Sequence, residues 1–194
     1  ARCKVVENPR GGTQRPEIFQ DDAERARLEG DLNLLLRPCG VEVSLELGRP
    51  VKAPDSWFDR KGRFHPMVIE KNEPARSFTL CELIRNNEPN VVNVYLVRDC
   101  HRTEALPGRR GTTIEHDLFG VGIKDGEVLI DDAADAAALA HEFGHVLGLR
   151  DLKSDCDQRR LMFSIRSKRE GMAISHEEMR IARKTAARLQ AACR

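Results

Sequence analysis

Long hydrophobic runs are missing from this 194-residue sequence. No stretch approaches the roughly 18 consecutive apolar residues of a membrane-spanning helix, and no signal-peptide pattern is present at Ala1. We therefore expect a protein without a membrane span. Apolar residues nevertheless make up 40% of the chain, which is enough for one sizeable core.

A strong charge of one sign is also missing. The 32 Lys and Arg residues nearly balance the 31 Asp and Glu residues, so a general nucleic-acid binder is not indicated. The charge is uneven, however, because residues 159–194 carry ten Lys or Arg and three Glu. Such a basic tail is typical of a solvated helix face. The alternative is a surface that attracts an acidic substrate or partner.

Cysteine pairs of the C-x-x-C kind are missing, which argues against a structural zinc knuckle. The six cysteines are spread along the chain: Cys3, Cys39, Cys81, Cys100, Cys156 and Cys193. Their even number predicts up to three disulfides in an oxidising compartment, so we expect a secreted, periplasmic or extracellular protein. The alternative is six buried thiols in a cytosolic protein.

Internal repeats and low-complexity tracts are missing too, which favours a single globular domain. Residues 1–20 are rich in Gly, Pro and Arg and are expected to be irregular, and loops are expected at 48–64 and 101–111. Apolar spacing and capping residues predict helices at 21–36, 78–86, 131–147 and from 175 onward. The last of these opens with Ser175-His176-Glu177-Glu178, which has the spacing of a capping box. Strands are predicted at 41–47, 67–70, 91–97, 118–123 and 127–130. This order predicts an α+β fold with a mixed sheet.

A histidine pair with metal-ligand spacing stands in the segment His141-Glu142-Phe143-Gly144-His145. Residues four apart lie on one face of a helix, so both imidazoles can reach one ion. Zinc suits neutral imidazole nitrogens and a tetrahedral site with one open position. Glu142 can flank the metal without binding it and act as general base, then general acid. The alternative is a pair of surface histidines on an ordinary helix.

A catalytic zinc site needs a third protein ligand. Gly148 permits a sharp turn after the helix, because glycine accepts positive φ. Three residues later, Asp151 can bring a carboxylate oxygen to the ion, and Asp155 and Asp157 are rival carboxylates in the same loop. The remaining histidines lie outside any ligand spacing and are expected to be surface or core residues: His65, His101, His116 and His176.

Residues 141–151 read HEFGHVLGLRD and resemble the metzincin clan of zinc endopeptidases, whose pattern is H-E-x-x-H-x-x-G-x-x-H or D. Aspartate in the last position is similar to the snapalysin-type branch. Met162 matches the methionine turn that this family has beneath the zinc. Several metzincins also have a tyrosine near that turn, whereas the one tyrosine here, Tyr95, lies on a predicted strand.

The resemblance implies one metzincin-like metallopeptidase domain over residues 1–194, with a twisted mixed sheet, an antiparallel edge strand, an active-site helix and a C-terminal helix. Its upper part would span 21–150 and its lower part 151–194. One zinc ion would be held by His141, His145 and Asp151, with Gly148 and Met162 as structural support. The implied substrate-binding edge strand consists of Leu118, Phe119, Gly120, Val121, Gly122 and Ile123.

We therefore expect a monomeric zinc metalloendopeptidase that hydrolyses peptide bonds with zinc-activated water and Glu142 as general base and acid. Its partner would be a peptide or protein substrate that adds a strand to the edge strand; neither nucleic acid nor a membrane is expected as a partner. Two alternatives stay open. One is a zinc-containing binding or interaction module without turnover, and the other is a zinc amidase or toxin-like effector peptidase.

Overall fold

The computed structural model has an α+β fold in which helices cover a mixed sheet. It describes residues 1–7, 22–52, 64–68, 91–97, 100–105, 113–117, 120–123, 127–131, 135–163 and 170–191. Within these ranges, no helix is both long enough and apolar enough to cross a bilayer.

Three α-helices occur in the described ranges, and the sequence predicted each of them. They are α1 (Asp22–Leu36), α2 (Ala136–Val146) and α3 (His176–Ala191). The helix predicted at 78–86 lies outside the described residues. A 3₁₀ turn at Arg37–Cys39 follows α1, and Gly40 closes it with a left-handed φ of 66°.

The described strands form one larger and one smaller sheet. They are β1 (Arg2–Glu7), β2 (Glu46–Leu47), β3 (Val51–Lys52), β4 (Phe64–Val68), β5 (Asn93–Val97), β6 (Cys100–Ala105), β7 (Thr113–Asp117), β8 (Gly120–Ile123) and β9 (Glu127–Asp131). In the larger sheet the order is β2-β1-β5-β9-β8, and β3 also pairs with β1. β5 is parallel to β1 and β9, whereas β8 pairs antiparallel with β9 at the end of the order. The smaller sheet has the order β4-β6-β7.

Several strands lie where the sequence predicted irregular structure. Residues 1–20 were expected to be irregular, but β1 is an inner strand of the larger sheet. β6 occupies part of the predicted loop 101–111, and β3 lies in the predicted loop 48–64. The strand predicted at 67–70 begins earlier, as β4. β6 reads CHRTEA and lacks the alternation of apolar and polar residues from which strands are predicted. β1 reads RCKVVE and alternates only over Arg2–Val5, a short signal beside the Gly, Pro and Arg residues that follow it.

The predicted strand at 41–47 is a strand only at β2. Before β2, the side-chain amide of Asn33 bonds both backbone groups of Val43: Nδ2 donates to the carbonyl at 2.8 Å, and Oδ1 accepts from the N–H at 2.7 Å. Glu29 Oε2 accepts from the Leu45 N–H at 2.6 Å. Side chains of α1 thus replace a neighbouring strand, and the alternation that predicted a strand still buries Val43 and Leu45.

The hydrophobic core joins the larger sheet to α1 and α2, and α2 contacts α1, β8 and β9. Buried members of this core from these elements include Leu32, Leu36, Val94, Leu96, Val128, Ile130, Leu139 and Phe143. α3 packs on the 3₁₀ turn, where Arg183 donates to the carbonyls of Pro38 at 2.9 Å and Cys39 at 3.2 Å. α3 is therefore attached to the end of α1, and this basic side chain is engaged rather than free.

Among the cysteines whose side chains the structure describes, none forms a predicted disulfide. Cys3 and Cys39 are buried free thiols, and Cys156 is an exposed free thiol. Cys81, Cys100 and Cys193 lie outside this set. Burial raises the pKa of Cys3 to about 12, so this thiol behaves as a small apolar core residue. The expected secretion rested on those disulfides and therefore has no structural support.

Candidate metal centre

Helix α2 carries the predicted metal-ligand segment and is almost entirely buried. Its N-cap Asp135 accepts from the Ala138 N–H at 2.8 Å, so the helix begins at Ala136, later than the predicted start at 131. His141 and Glu142 are 7% and 8% exposed, in a helix whose other residues are mainly apolar. Burial of two polar side chains among apolar ones requires partners for them.

Each histidine ring has a backbone carbonyl as one partner. His141 Nδ1 lies 2.9 Å from the Leu161 carbonyl, and His145 Nδ1 lies 3.1 Å from the Leu149 carbonyl. A carbonyl oxygen only accepts, so each Nδ1 is the donor. In the neutral rings, Nε2 then carries the lone pair, which is the state that binds a metal ion.

The turn after α2 brings a carboxylate back to these two nitrogens. Gly148 has a φ of 84°, a left-handed conformation that favours glycine. The Leu149 N–H donates to the Gly144 carbonyl at 2.9 Å, which fixes the reversal of the chain. Asp151 Oδ1 consequently lies 3.2 Å from His141 Nε2 and 3.5 Å from His145 Nε2.

The arrangement of His141, His145 and Asp151 fits a cation. One ligand atom from each residue lies within 4.8 Å of the other two. Tetrahedral zinc with bonds of about 2.1 Å separates its ligand atoms by roughly 3.4 Å, close to the two histidine–aspartate distances. Two lone pairs and a carboxylate oxygen that converge in this way repel one another unless a proton or a metal ion lies between them.

The pKa shifts agree with this electrostatic picture. Hydrogen bonds from His141 and His145 hold the pKa of Asp151 well below the ordinary carboxyl value of 3.8. Burial alone would lower the pKa of His145, but the hydrogen bond with Asp151 and the nearby charge of Glu142 outweigh it. The pKa of His145 therefore lies above 6.5. Both pKa shifts favour a protonated His145 imidazole beside an ionised Asp151 carboxylate in the metal-free centre.

Met162 packs directly beneath α2. Its side chain is fully buried, and a Cβ atom added at Gly144 would lie only 2.3 Å from its sulfur. The backbone of the same segment accepts from the Leu152 N–H, with 2.8 Å between that nitrogen and the Met162 carbonyl oxygen. The side chain of Met162 thus contacts α2, which carries the two histidines, and its backbone bonds Leu152, the residue after Asp151.

The other predicted site residues are placed as follows. Asp157 lies 3.8 Å from Arg160 Nη1 and belongs to the 3₁₀ turn Asp155–Asp157 rather than to the histidine–aspartate cluster. Of the predicted edge strand, Gly120, Val121, Gly122 and Ile123 form β8, whereas Leu118 and Phe119 lie outside the described residues.

The carbonyls of Leu149 and Leu161 are functional groups that the sequence did not predict. They orient the two imidazoles, yet a backbone acceptor leaves no mark in the residue types around it. Only the known preference of metal-binding histidines for such a partner could have prompted a search for them.

No family model and no curated protein matches this sequence. Among solved structures, the chain is similar to archaemetzincin from Methanopyrus kandleri, with 16% identity, a TM-score of 0.47, and coverage of 98% of this chain and 93% of that one. It is also similar to a zinc-dependent peptidase from Methanocorpusculum labreanum, with 12% identity, a TM-score of 0.46, and coverage of 94% and 100%. Archaemetzincin from Archaeoglobus fulgidus matches at 13% identity and a TM-score of 0.45, over 93% and 99% of the two chains. TM-scores below 0.5 do not establish a function for this chain, so any function has to be inferred from the residues of the metal centre.

Proposed function

We propose that the protein is a zinc-dependent endopeptidase. The observation that carries this proposal is the convergence of His141, His145 and Asp151, with Glu142 buried in the same turn of α2. The set of two imidazoles and one carboxylate leaves a position open for a reacting molecule, as in catalytic rather than structural zinc sites. A zinc ion bound there supplies a Lewis acid that polarises the carbonyl of the scissile bond and acidifies water.

Glu142 is the proposed general base and then general acid. Its carboxylate is buried beside the histidines, and its charge already raises the pKa of His145, so it acts electrostatically on the centre. In the proposed reaction it takes a proton from the attacking water and delivers it to the leaving amine. A purely structural metal site has no use for such a group.

The proposed substrate is an extended peptide bound along β8. Within the described part of the larger sheet, this strand pairs with β9 on one side and ends the strand order. α2 packs against the same strand, so a peptide added to that edge would lie beside the helix of the metal centre. Main-chain hydrogen bonds would provide the affinity, as in other cases of strand addition.

Metal content tests the ligand assignment. The purified protein should contain one zinc ion, and Asp151→Ala should lose it, whereas Asp157→Ala should keep it, because Asp157 lies against Arg160 instead. Asp155→Ala completes the series. Loss of zinc from that variant with retention in Asp151→Ala would show that the third ligand has been assigned wrongly.

Cleavage of casein and of a peptide library tests the reaction. Glu142→Ala should retain one zinc ion and lose at least about 100-fold in kcat/KM, which is the lower range for removal of a general acid–base group. Glu170→Ala is the matched control, since that carboxylate is exposed. Cleavage should also stop with a chelator. Retained activity in Glu142→Ala would refute the mechanism, and wild-type zinc binding without any turnover would favour the binding-module alternative. A location outside the cytosol stays a prediction.

A further inference from the structure

Glu178, in the first turn of α3, is a buried carboxylate that the proposed reaction does not use. It is 9% exposed. Its Oε2 accepts from the N–H and the hydroxyl of Ser175 at 2.8 and 3.1 Å, and the Ser175 hydroxyl accepts from the Glu178 N–H at 3.2 Å. This is the reciprocal capping box that the spacing of the two residues predicted. The capping box accounts for a long polar side chain at position 178 but not for its negative charge, because glutamine forms the same capping box.

The charge of Glu178 has a separate partner, Arg160. Arg160 Nη2 donates to Glu178 Oε2 at 2.5 Å, and its Nη1 lies 3.8 Å from Asp157. Both side chains of the short bond are largely shielded, with exposed fractions of 27% for Arg160 and 11% for Glu178. Shielded, charge-assisted hydrogen bonds are the strong ones, so α3 holds Arg160 in one place.

Arg160 begins the backbone segment that supports the metal centre. The next carbonyl along the chain, that of Leu161, accepts from His141 Nδ1 at 2.9 Å. The Met162 carbonyl then accepts from the Leu152 N–H at 2.8 Å, next to Asp151. Residues 160–163 therefore contact two of the three candidate ligands, either directly or through one neighbour.

We propose that Glu178 is a positioning residue of the metal centre, which acts through Arg160 to hold residues 160–163 against His141. The proposal rests on the proposed zinc site. A metal ligand whose second nitrogen loses its acceptor is less well oriented and less basic. If Arg160 is released, the Leu161 carbonyl is held less firmly, and the imidazole of His141 loses part of its fixed direction.

Glu178→Gln separates this role from helix capping. Glutamine keeps the capping box but replaces the charge-assisted bond to Arg160 with a weaker neutral one. We expect zinc affinity, measured by competition with a chromogenic chelator, to fall about 10-fold, at the low end of the effect of changing groups around the ligands. Glu177→Gln is the matched control: this neighbouring carboxylate pairs with Arg180 on the exposed surface and should leave the affinity unchanged.

Ser175→Ala distinguishes positioning from general destabilisation. It removes the capping hydroxyl of the same helix but leaves the bond between Glu178 and Arg160 in place. It should lower the midpoint of thermal unfolding without changing zinc affinity. If Ser175→Ala lost as much zinc affinity as Glu178→Gln, the effect of Glu178 would be explained by the stability of α3 alone, and the proposal would be overturned.

Arg160→Gln completes a double-mutant cycle with Glu178→Gln. If the two residues act as one unit, the double variant should lose no more zinc affinity than the more damaging single variant. Additive losses would show that Glu178 does not act through Arg160. Equal zinc affinity in Glu178→Gln and wild type would likewise reject the inference while leaving the proposed zinc peptidase intact.

A measurement on the metal-free protein keeps the two proposals separate. The Leu152 amide, which donates to the Met162 carbonyl, should exchange its hydrogen faster in Glu178→Gln than in Glu177→Gln. If wild type binds no zinc, the proposed function fails. Amide exchange at Leu152 then decides whether Glu178 holds the segment, and unchanged exchange would reject that as well.

Discussion

At Gly144, α2 and the Met162 segment lie very close together. An added Cβ would lie 2.3 Å from the Met162 sulfur and 3.1 Å from its terminal methyl carbon. Met162 is fully buried, so it cannot move into solvent to make room. The second unspecified position of the H-E-x-x-H pattern is thus constrained here by packing.

Gly144→Ala should destabilise the protein by about 1 kcal/mol. Alanine gains about 0.5–1 kcal/mol over glycine within a helix, but overpacking a filled core costs about 1–3 kcal/mol. Urea denaturation measures the difference. Gly30→Ala is the control, because nothing lies within 4 Å of its added Cβ in α1, and it should be stabilising. A stabilising Gly144→Ala would contradict the close packing.

The contact between His145 and Asp151 should make the stability of the metal-free protein depend on pH. The folded-state pKa of Asp151 is lowered. Its contribution to the free energy of unfolding is therefore present above pH 3.8 and is lost as the pH falls through the lowered pKa. The folded-state pKa of His145 is raised. Its contribution to the free energy of unfolding is therefore present below pH 6.5 and is lost as the pH rises through the raised pKa. Both contributions are fully present between pH 3.8 and pH 6.5.

Asp151→Asn should therefore be most destabilising inside that window. With a chelator present, the free energy of unfolding of wild type should exceed that of the variant by more at about pH 5 than at alkaline pH, above the raised pKa of His145. Asp157→Asn should show little such change, because Asp157 contacts Arg160 rather than a histidine. A difference that is larger at the higher pH would contradict the sign of these shifts.

At the residue scale, the sequence predicted what depends on spacing along one element. The rings of His141 and His145 lie together on one side of α2, with centroids 4.9 Å apart, and the capping box at Ser175 and Glu178 is present as expected. So is the positive φ of Gly148. The bond between Arg160 and Glu178 joins residues 18 apart. No local pattern specifies a pairing of that kind, because it depends on how α3 packs.

At the scale of elements, side chains of α1 bond the backbone of the segment before β2 and so take the place of a neighbouring strand. Asn33 satisfies both backbone groups of Val43, a residue that is 7% exposed. This arrangement also explains why alternation correctly predicted the burial of Val43 and Leu45 but wrongly predicted their pairing with a strand. Leu47, on the same predicted face, belongs to β2 and is exposed. Alternation reports which side chains face the core, whereas the pairing partner is a matter of three-dimensional arrangement.

Asn33→Ala should destabilise the protein by about 1–2 kcal/mol. Two part-buried hydrogen bonds to the backbone of Val43 are lost, each with a net contribution of about 0.5–1.5 kcal/mol. The better helix propensity of alanine offsets a few tenths of a kcal/mol, about 0.5 at most. Leu34→Ala is the neighbouring control, since that side chain is 60% exposed. Equal stabilities for the two variants would show that the amide contributes nothing.

For the whole molecule, the metal centre is the point at which distant segments meet. α2 provides His141 and His145, and the following turn provides Asp151. Residues 160–163 contact His141 through the Leu161 carbonyl and are joined to α3 through the bond between Arg160 and Glu178. Unfolding any of these segments separates the ligand atoms. Zinc should consequently bind the folded chain and have little affinity for the unfolded one.

Zinc should therefore raise the midpoint of thermal unfolding. At a free concentration roughly 100-fold above Kd, selective binding to the folded state contributes about 2.7 kcal/mol. For a chain of this length that corresponds to about 5–10 °C. Scanning calorimetry with zinc and with a chelator measures the shift. Asp157→Ala should retain it and Asp151→Ala should lose it, because only Asp151 lies with the two histidines. A zinc-dependent shift that persists in Asp151→Ala would mean that the ion is held elsewhere, and the centre proposed here would have to be abandoned.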